Sequence, residues 1–211
     1  MFHVKLDPYS LVEALRPDQR SALRRFQEIL IERAVPHGLV SVRDRDRIWE
    51  RHILDSLRAV ACLEEQSRSI GDLGSGAGLP GIPVAVVRPD CHVTLIEGRR
   101  GRAAFLEQVV ERLALANVTV LPHRIEECRS VFDLCLARAL ADLAASWRLA
   151  DPCLRPGGSL LYFAGGSFSP EECAAIANVT CEICLPGRFP RQGPLVMITR
   201  EPGPLRAEGD T

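Results

Sequence analysis

Closely spaced glycines mark the stretch of this chain whose residue types point most directly to ligand chemistry. Residues 69–81 read Ser-Ile-Gly-Asp-Leu-Gly-Ser-Gly-Ala-Gly-Leu-Pro-Gly, and an apolar run follows over 82–87. The pattern predicts a strand that ends at Leu73, a tight glycine turn and then a helix. Glycine allows backbone conformations that other residues avoid, and it lets a ligand lie directly against the main chain. The stretch therefore predicts a site for a nucleotide-like ligand.

Two classes of ligand fit this glycine turn. Counted from residue 76, the turn has the G-x-G-x-x-G spacing of a dinucleotide-binding site, with an acidic residue about twenty positions further on. Counted from Asp72, the D-x-G-x-G-x-G spacing resembles the first motif of the Rossmann-like S-adenosylmethionine-dependent methyltransferases. A carboxylate at Asp72 would attract a sulfonium or ammonium cation and repel a pyrophosphate, and Glu97 could accept the ribose hydroxyls. The sequence therefore favours S-adenosylmethionine over a dinucleotide.

Length, composition and charge narrow the classes of protein. The 211 residues fit one large domain, or a domain with a helical extension, and 46% of them are apolar, as in soluble globular proteins. No apolar run reaches the roughly 20 residues of a membrane span, and residues 1–7 lack a signal-peptide pattern, so we expect a cytoplasmic protein with no membrane partner. The formal net charge is −1 and Lys5 is the only lysine. Binding to nucleic acid would therefore require a local patch of arginines.

The eight cysteines are expected to be reduced and mostly buried thiols, as is usual in a cytoplasmic protein. Cys181 and Cys184 have the C-x-x-C spacing of half a zinc site. No second pair or nearby histidine completes that site, and on a strand the two side chains would point to opposite faces. We therefore predict no metal site.

Residues 1–65 are predicted to form a helical cap. A helix opens at Pro17 and ends at a break over 36–38, and a charged stretch and a second helix follow. In the second helix His52 and Asp55 are three residues apart, on one helical face, where they could hydrogen-bond each other. Such a pair either stabilises the helix under a packed interface or positions groups over the cofactor or substrate, and the spacing allows both.

From Ser69 onward, strand and helix patterns alternate, which indicates a mostly parallel sheet with helices on both faces. The last two strands have no helix between them and predict an antiparallel hairpin at one edge. The expected fold is α/β, with a Rossmann-like core of the class I S-adenosylmethionine-dependent methyltransferase type and a seven-stranded sheet over 66–202. Within it, residues 139–154 are predicted to be one helix and residues 156–158 a turn before the fifth strand. Residues 203–211, rich in proline, glycine and charge, are predicted to be a loose tail.

Ligands of an open parallel sheet lie beyond the carboxyl ends of its strands. This rule gathers the glycine turn and several residues that are far apart in sequence around one pocket. Ile125 and Glu126, after the third strand, are placed to flank an adenine through apolar contact and hydrogen bonds. The cofactor-binding residues expected in this pocket are Asp72, Gly74, Ser75, Gly76, Gly78, Leu79, Glu97, Ile125, Glu126 and Arg138.

Arg138 bears on the identity of the methyl acceptor. Methyltransferases that act on amines commonly have Asn or Asp, then prolines and an aromatic residue, at the end of the fourth strand, whereas this chain has Ala137-Arg138-Ala139. The guanidinium suits a phosphate or a guanine, whose O6 can accept from arginine while N7 keeps its lone pair for the methyl group. Transfer to N7 needs no general base, because that nitrogen carries no proton, and the rate gain comes from positioning. We expect Arg138, His52 and Asp55 to act as positioning residues.

Four segments together resemble the glucose-inhibited division protein B family. They are residues 51–57, 72–83, 124–126 and 138–139, within a similarity that covers about residues 38–170. Members of that family methylate guanine N7 in small-subunit (16S) ribosomal RNA with S-adenosylmethionine. The resemblance implies the same activity and the same RNA partner here. It also implies that the cofactor pocket is lined by Gly74, Leu79, Glu97, Ile125, Glu126 and Arg138.

The chain departs from this family where cations are expected. Many members have Lys-Arg ahead of a Phe-Leu pair, where this chain has Gly101-Arg102, and Lys-Gly after the fifth strand, where it has Gly165-Gly166. Two phosphate-binding cations are thus absent. The arginines that remain as candidates for RNA contact are Arg99, Arg100, Arg102, Arg124, Arg188 and Arg191. For the first three, a solvated helix start is the alternative role.

Four functions are compatible with these features. The leading one is a guanine-N7 methyltransferase of small-subunit ribosomal RNA or of an assembling small subunit, acting as a monomer. The near-neutral charge and the absent lysines motivate a second, a methyltransferase for a small molecule or a protein. A third is a non-catalytic ribosome-assembly or RNA-binding factor that retains the fold, and a dinucleotide-dependent oxidoreductase comes last.

Overall fold

The computed structural model describes residues 8–64, 66–185 and 192–201, and a single seven-stranded sheet lies at its centre. The strands are β1 Ser69–Leu73, β2 His92–Ile96, β3 Val118–Leu121, β4 Phe132–Arg138, β5 Leu154–Gly165, β6 Val179–Leu185 and β7 Gln192–Arg200. Their order is β3-β2-β1-β4-β5-β7-β6, with β1 to β5 parallel and β7 antiparallel to both of its neighbours. The predicted α/β fold with an antiparallel edge pair is confirmed.

Helices precede the sheet and connect its strands. The α-helices are α1 Pro8–Ala14, α2 Pro17–Ile29, α3 Asp55–Leu57, α4 Gly81–Val87, α5 Arg100–Arg112, α6 Leu143–Ala150 and α7 Glu171–Ala174. Short 3-10 or π-helical segments adjoin them at Leu30–Ala34, Val42–Arg47, Trp49–Leu54, Arg58–Cys62, Ile125–Glu127 and Asp151–Cys153. The charged stretch that was predicted to separate two cap helices is thus itself helical, because Ser41 accepts a hydrogen bond from the Arg43 N–H and caps its start.

The sheet register brings the carboxyl ends of four parallel strands to one edge. Leu73 pairs with Ile96 of β2 and with Ala137 of β4, and Ile96 pairs with Leu121 of β3. Residues that follow these four strands are consequently neighbours in space, although up to about a third of the chain separates them. This edge is where an open parallel sheet binds its ligands.

The helical cap and the sheet share one hydrophobic core. Phe26 and Leu23 of α2 are fully buried in the same cluster as Ile70 of β1 and Leu95 of β2. The buried Gln19 side chain also donates from Nε2 to the carbonyl oxygens at 86 and 87, at distances of 3.0 and 3.1 Å, and so fixes α2 against the end of α4. The cap is therefore held firmly over one face of the sheet.

Two local predictions in the second half of the chain are wrong. The predicted helix over 139–154 begins only at Leu143, because the Asp142 carboxylate accepts from the Ala145 N–H and starts the helix there. The predicted turn at 156–158 lies inside β5, where the register with β4 is irregular between Phe132 and Leu134. Both errors lie at element boundaries and leave the topology unchanged.

One pair of cysteines is not reduced. Cys173 of α7 and Cys181 of β6 form a disulfide, with their Cα atoms 5.9 Å apart. The expectation of reduced thiols is wrong for these two, because the chain brings α7 and β6 close enough for their cysteines to pair. In the described ranges no cluster of three or more His, Cys, Asp or Glu side chains could hold a metal ion. The helices of those ranges also include none with the length and apolarity that crossing a membrane requires.

Candidate cofactor and substrate site

The glycine turn adopts the left-handed backbone that its sequence predicts. Gly74, Gly76 and Gly78 have φ angles of +70°, +57° and +86°, which residues with a Cβ rarely adopt. The Gly74 N–H donates to the Ile96 carbonyl at 2.9 Å, and the Gly78 N–H donates to the Ser75 carbonyl at 2.7 Å. These bonds tie the turn to the end of β2 and curl it toward the start of α4.

Asp72 lies beneath the turn rather than in an open pocket. Its side chain is 1% exposed, and Oδ2 accepts from the Gly81 N–H at 3.1 Å, while the Ser75 hydroxyl donates to the Asp72 carbonyl oxygen at 2.9 Å. Burial raises the pKa of the Asp72 carboxyl to about 7, although the hydrogen bonds oppose the shift. The carboxyl group thus braces the glycine turn against the first turn of α4.

Glu97, at the tip of β2, has both carboxylate oxygens fixed by main-chain donors. Oε2 accepts from the Gly76 N–H at 3.0 Å and Oε1 accepts from the Arg99 N–H at 2.8 Å. The residue is buried, so the carboxylate is held in one orientation. Each oxygen can accept a further hydrogen bond, because a carboxylate oxygen has two lone pairs. Glu97 can therefore bind two adjacent hydroxyl groups.

A cleft of about 460 Å³ opens over Glu97, and we call it the Glu97 cleft. Its lining residues are Gly74, Ile96, Glu97, Gly98, Arg99, Arg102, Arg124, Ile125, Glu126, Ala139 and Leu140. Four predicted cofactor-binding residues are thus brought together, namely Gly74, Glu97, Ile125 and Glu126. The predicted Asp72, Ser75, Gly76, Gly78 and Leu79 belong to the turn that supports this cleft instead of lining it.

Sequence reasoning missed Ala139 and Leu140 as lining residues. Ala139 has a φ angle of +51°, which turns the chain sharply out of β4. Leu140 lies close to the turn, since a Cβ placed on Gly74 would be 2.8 Å from Leu140 Cδ1. The rule for strand ends would have found both, because they directly follow Arg138.

Arg138 points its guanidinium at the cap. Nη2 donates to the Arg51 carbonyl at 3.0 Å and to His52 Nδ1 at 2.9 Å, Nη1 donates to Ser56 Oγ at 3.3 Å, and Nε lies 3.4 Å from Asp55 Oδ2. The side chain is 17% exposed, and burial lowers the pKa of the guanidinium from its usual value. In this structure Arg138 therefore joins the end of β4 to the cap helix, while Ala139 and Leu140 face the cleft.

The contacts of His52 define its tautomer. Arginine can only donate, so Nδ1 of His52 must accept from Arg138, and Nε2 carries the proton and donates to Asp44 Oδ2 at 3.2 Å. Burial lowers the pKa of the imidazole, and the positive charge of Arg138 lowers it further, although Asp44 opposes both effects. His52 is thus held neutral between a carboxylate and a guanidinium.

The predicted hydrogen bond between His52 and Asp55 is replaced by bonds to other partners. Asp55 Oδ1 accepts from Arg58 Nη1 at 2.9 Å and from Gln192 Nε2 at 2.7 Å. The helix turns through π-helical geometry over Trp49–Leu54, which changes the angular spacing that the prediction assumed. His52 and Asp55 nevertheless meet at Arg138, which contacts both.

The arginines expected to contact RNA lie in different places. Arg99, Arg102 and Arg124 line the Glu97 cleft, and Arg100 is exposed beside them at the start of α5. Arg188 and Arg191 lie outside the described residues. The first four therefore form a positive rim around one side of the cleft.

The family model and the related sequences agree on one family. The family model described as "rRNA small subunit methyltransferase G" (GidB) matches residues 19–183. Proteins named "Ribosomal RNA small subunit methyltransferase G" are 42% identical over 156 residues in Mycolicibacterium gilvum (strain PYR-GCK) and 41% identical over 178 residues in Mycobacterium sp. (strain KMS). The first alignment covers 71% of this chain and 67% of the relative, and the second covers 81% and 76%.

Solved structures with low sequence identity share the fold. The ribosomal protein L11 methylase from Lactobacillus delbrueckii subsp. bulgaricus has a TM-score of 0.58 and 16% identity, with 72% of this chain and 79% of that chain covered. An O-methyltransferase from Streptomyces achromogenes, solved in complex with S-adenosylmethionine, has a TM-score of 0.57 and 18% identity, with 86% and 90% covered. The fold is thus the Rossmann-like methyltransferase fold, and the chain belongs to the rRNA small subunit methyltransferase G (GidB) family.

Proposed function

We propose that the Glu97 cleft binds S-adenosylmethionine and that the protein transfers its methyl group to N7 of a guanine in small-subunit ribosomal RNA. The geometry of Glu97 carries the cofactor assignment. The Gly76 and Arg99 N–H groups orient both carboxylate oxygens, which suits the two adjacent hydroxyls of a ribose. Membership of the rRNA small subunit methyltransferase G family supports the RNA as the acceptor.

The residues around the cleft fit the remaining parts of this cofactor. Ile125 and Glu126 lie on the lining beyond β3, where they would hold an adenine by apolar contact and by hydrogen bonding. Gly74 has no side chain, so the methionine part can lie against the main chain of the turn. Asp72 beneath the turn would add a favourable electrostatic interaction with the cationic sulfonium and ammonium groups when it is ionised.

The proposed transfer requires little acid or base chemistry from the protein. The bound cofactor supplies an electrophilic methyl carbon, which forms a bond to the N7 lone pair as its bond to sulfur breaks and the electron pair stays on sulfur. N7 carries no proton, so no group of the protein has to remove one. The protein has to align the guanine with the cofactor, and such alignment can supply a large part of the rate gain.

Arg138, His52 and Asp55 fit a positioning role in this scheme. Arg138 ties the end of β4 to the cap through His52 and Asp55, and the next residue along the chain, Ala139, lines the Glu97 cleft. The junction thus fixes the position of the cap relative to the cleft wall. The cap would then close the side of the cleft that the guanine enters. A direct contact between Arg138 and the guanine would require the guanidinium to give up some of its hydrogen bonds to the cap.

The decisive experiment is a labelling assay. The protein is incubated with methyl-labelled S-adenosylmethionine and small ribosomal subunits from cells that lack their own enzyme, and the RNA is digested and analysed for 7-methylguanosine. We expect label in that nucleoside alone. Label in another nucleoside would overturn the N7 assignment, and no label in the RNA would overturn the RNA assignment.

Calorimetry tests the cofactor independently of the acceptor. We expect heat of binding with S-adenosylmethionine and none with NAD, and a strong loss of binding in Glu97→Ala. Binding of NAD in place of S-adenosylmethionine would overturn the cofactor assignment and support a dinucleotide-dependent oxidoreductase. Binding of S-adenosylmethionine without transfer to RNA would leave the small-molecule or protein methyltransferase and the non-catalytic assembly factor.

A further inference from the structure

A second cleft, of about 480 Å³, lies beside the first and joins the cap to α5. We call it the Arg33 cleft, and its lining residues are Arg33, His37, Leu39, Arg99, Gly101, Arg102, Ala104, Phe105 and Gln108. It shares Arg99 and Arg102 with the Glu97 cleft, so the two are continuous along the start of α5. Its volume falls within the roughly 300–1,000 Å³ that is usual for ligand pockets.

What distinguishes this cleft is that three arginines surround one depression. Some arginines of the described residues pair with carboxylates, as Arg68 does with Asp90 and Arg155 does with Asp133, and others, such as the exposed Arg112, do not. Within the described ranges no carboxylate or other hydrogen-bonding group is found against the guanidinium groups of Arg33, Arg99 and Arg102. A chain of net charge −1 has enough acidic residues to pair them. Three unpaired cations around one depression suit a ligand with several negative charges, such as adjacent phosphates.

The rest of the lining suits a flat apolar ligand group. Phe105 and Leu39 are half-buried, so each presents part of its side chain to the cleft. His37 is exposed, and its Nδ1 donates to the Arg33 carbonyl at 2.7 Å, which fixes the position of the ring. Aromatic side chains beside arginines are the combination with which proteins bind single-stranded nucleic acid, by stacking on bases and pairing with phosphates.

We propose that the Arg33 cleft is a subsite for a single-stranded RNA nucleotide next to the methylated guanine, with a base against Phe105 and His37 and phosphates at Arg33, Arg99 and Arg102. This inference rests on the proposed function for the identity of the RNA. It adds a binding site on the cap that is separate from the cofactor, and it explains how a nearly neutral protein holds a polyanion. The cap would then hold the RNA strand, while the sheet edge holds the cofactor.

The test uses two variants that touch only the Arg33 cleft, Arg33→Gln and His37→Ala, in the whole 211-residue chain. Arg112→Gln is the matched control, because Arg112 is exposed at the far end of the same helix α5 and lies outside both cleft linings. A short fluorescein-labelled single-stranded RNA is titrated with each protein, and the dissociation constant is read by anisotropy at several salt concentrations. Thermal melting confirms that each variant is folded.

We expect Arg33→Gln to raise the dissociation constant about fivefold or more and to lower the salt slope, d log K/d log[salt], by about 0.7 in magnitude, the value for one lost phosphate contact on a single strand. His37→Ala is expected to raise the dissociation constant by about fivefold, with an unchanged salt slope, because stacking is not a charge contact. Arg112→Gln should match the wild type. With small subunits as substrate, KM should rise in the two cleft variants, and the affinity for S-adenosylmethionine should stay constant.

Each result decides one claim. Equal RNA affinity and equal salt slope in Arg33→Gln, His37→Ala and the wild type would overturn the Arg33 cleft, and so would an absence of RNA binding by the wild type. RNA binding that depends on Arg33 and His37, without any methyl transfer to ribosomal RNA, would support the cleft and overturn the proposed function. Normal transfer with unchanged KM in both variants would support the proposed function and overturn the cleft.

Discussion

Nη2 of Arg138 lies 2.9 Å from Nδ1 of His52, and this hydrogen bond joins the end of β4 to the cap across 86 positions of sequence. Because His52 in turn donates to Asp44, the three side chains form a continuous chain from the sheet to the cap surface. The junction has a structural consequence and a functional one, and each can be measured separately.

We expect Arg138→Ala to lower the free energy of unfolding by about 3 kcal/mol, since it removes several part-buried hydrogen bonds of a charged donor, while Asp55 keeps its pair with Arg58. Arg138→Lys keeps the charge but loses the fork that reaches Arg51, His52 and Asp55 together, so it should lie between Ala and wild type. Urea denaturation of the wild type and both variants measures the free energies of unfolding and so checks this order. Methyl transfer should be abolished in Arg138→Ala, and full activity would contradict the positioning role.

Arg155→Ala serves as the control for this series. Arg155 pairs with Asp133 at 2.8 Å, but its side chain is 50% exposed, so the loss should be below about 1 kcal/mol. An equal loss in Arg155→Ala and Arg138→Ala would show that the cap junction is no more important for stability than a surface ion pair.

Glu97 offers the sharpest test of the cofactor site. Glu97→Gln replaces one acceptor oxygen by an NH₂ group, which then faces either the Gly76 N–H or the Arg99 N–H without a favourable contact. The lost hydrogen bonds to a charged group are worth about 1.5–3 kcal/mol each, so the affinity for S-adenosylmethionine should fall at least about tenfold. Isothermal titration calorimetry measures the dissociation constant for S-adenosylmethionine in the variant and the wild type. Glu107→Gln, an exposed change on α5 outside the cleft linings, should bind as tightly as wild type.

The mostly parallel sheet with its antiparallel edge pair, and the strand ends around which the cleft lies, followed from the sequence because they depend on local patterns. β2, β3 and β6 are each a short apolar run between turn residues, which is the pattern that predicts a strand. Once alternation had indicated parallel strands, the rule for strand ends placed Gly74, Glu97 and Ile125 around one cleft. Local chemistry and topology were sufficient for these features.

Features that depend on contacts between distant elements could not be predicted in this way. The direction of the Arg138 side chain depends on where the cap packs, and nothing near Arg138 in sequence indicates it. The disulfide between Cys173 and Cys181 joins two consecutive elements, but their spacing does not distinguish this pair from the other cysteines. The left-handed conformation of Ala139 is also unmarked, because alanine gives no signal for a positive φ angle. Asp142, by contrast, is of a residue type that commonly caps helices, so the start of α6 after it is marked in the sequence.

Asp72 predicts a measurable dependence of stability on pH. Burial raises the pKa of its carboxyl to about 7, against 3.8 for an exposed one. Between about pH 4 and pH 7 the unfolded chain releases this proton while the folded chain keeps it. The contribution of Asp72 to the free energy of unfolding therefore falls as the pH rises, by at most about 1.36 kcal/mol per pH unit. Above about pH 7 both states have released the proton, and the contribution stays constant.

Asp72→Asn should remove this term, because the amide oxygen can still accept from the Gly81 N–H and no proton titrates. Urea denaturation of both proteins over this pH range should show the variant gaining stability relative to wild type as the pH rises. A difference that is independent of pH would mean that Asp72 titrates normally in the folded chain.

The glycine turn separates two physical causes of destabilisation. In Gly76→Ala the new Cβ meets only the Gly74 carbonyl oxygen at 3.8 Å, so the expected loss is the roughly 1–2 kcal/mol of a left-handed alanine. In Gly78→Ala the Cβ would lie 2.7 Å from Ile82 Cγ1 and 3.2 Å from Leu106 Cδ2, so packing strain adds to the backbone term. Urea denaturation should rank Gly78→Ala as clearly less stable, and the reverse order would contradict this geometry.

Gly101 provides a gain-of-function prediction, since it occupies the place of a lysine in the pattern of the family and lines the Arg33 cleft. A Cβ at this position meets nothing within 4 Å, so Gly101→Lys fits without strain. The added cation should lower the KM for small ribosomal subunits several-fold and steepen the salt slope by about 0.7–0.9, the value for one new phosphate contact. Gly101→Ala is the matched control, because it gains helix propensity of up to about 1 kcal/mol without a charge. If Gly101→Ala lowered KM as much as Gly101→Lys, helix stability rather than charge would explain the gain, and the start of α5 would have no role in binding phosphate.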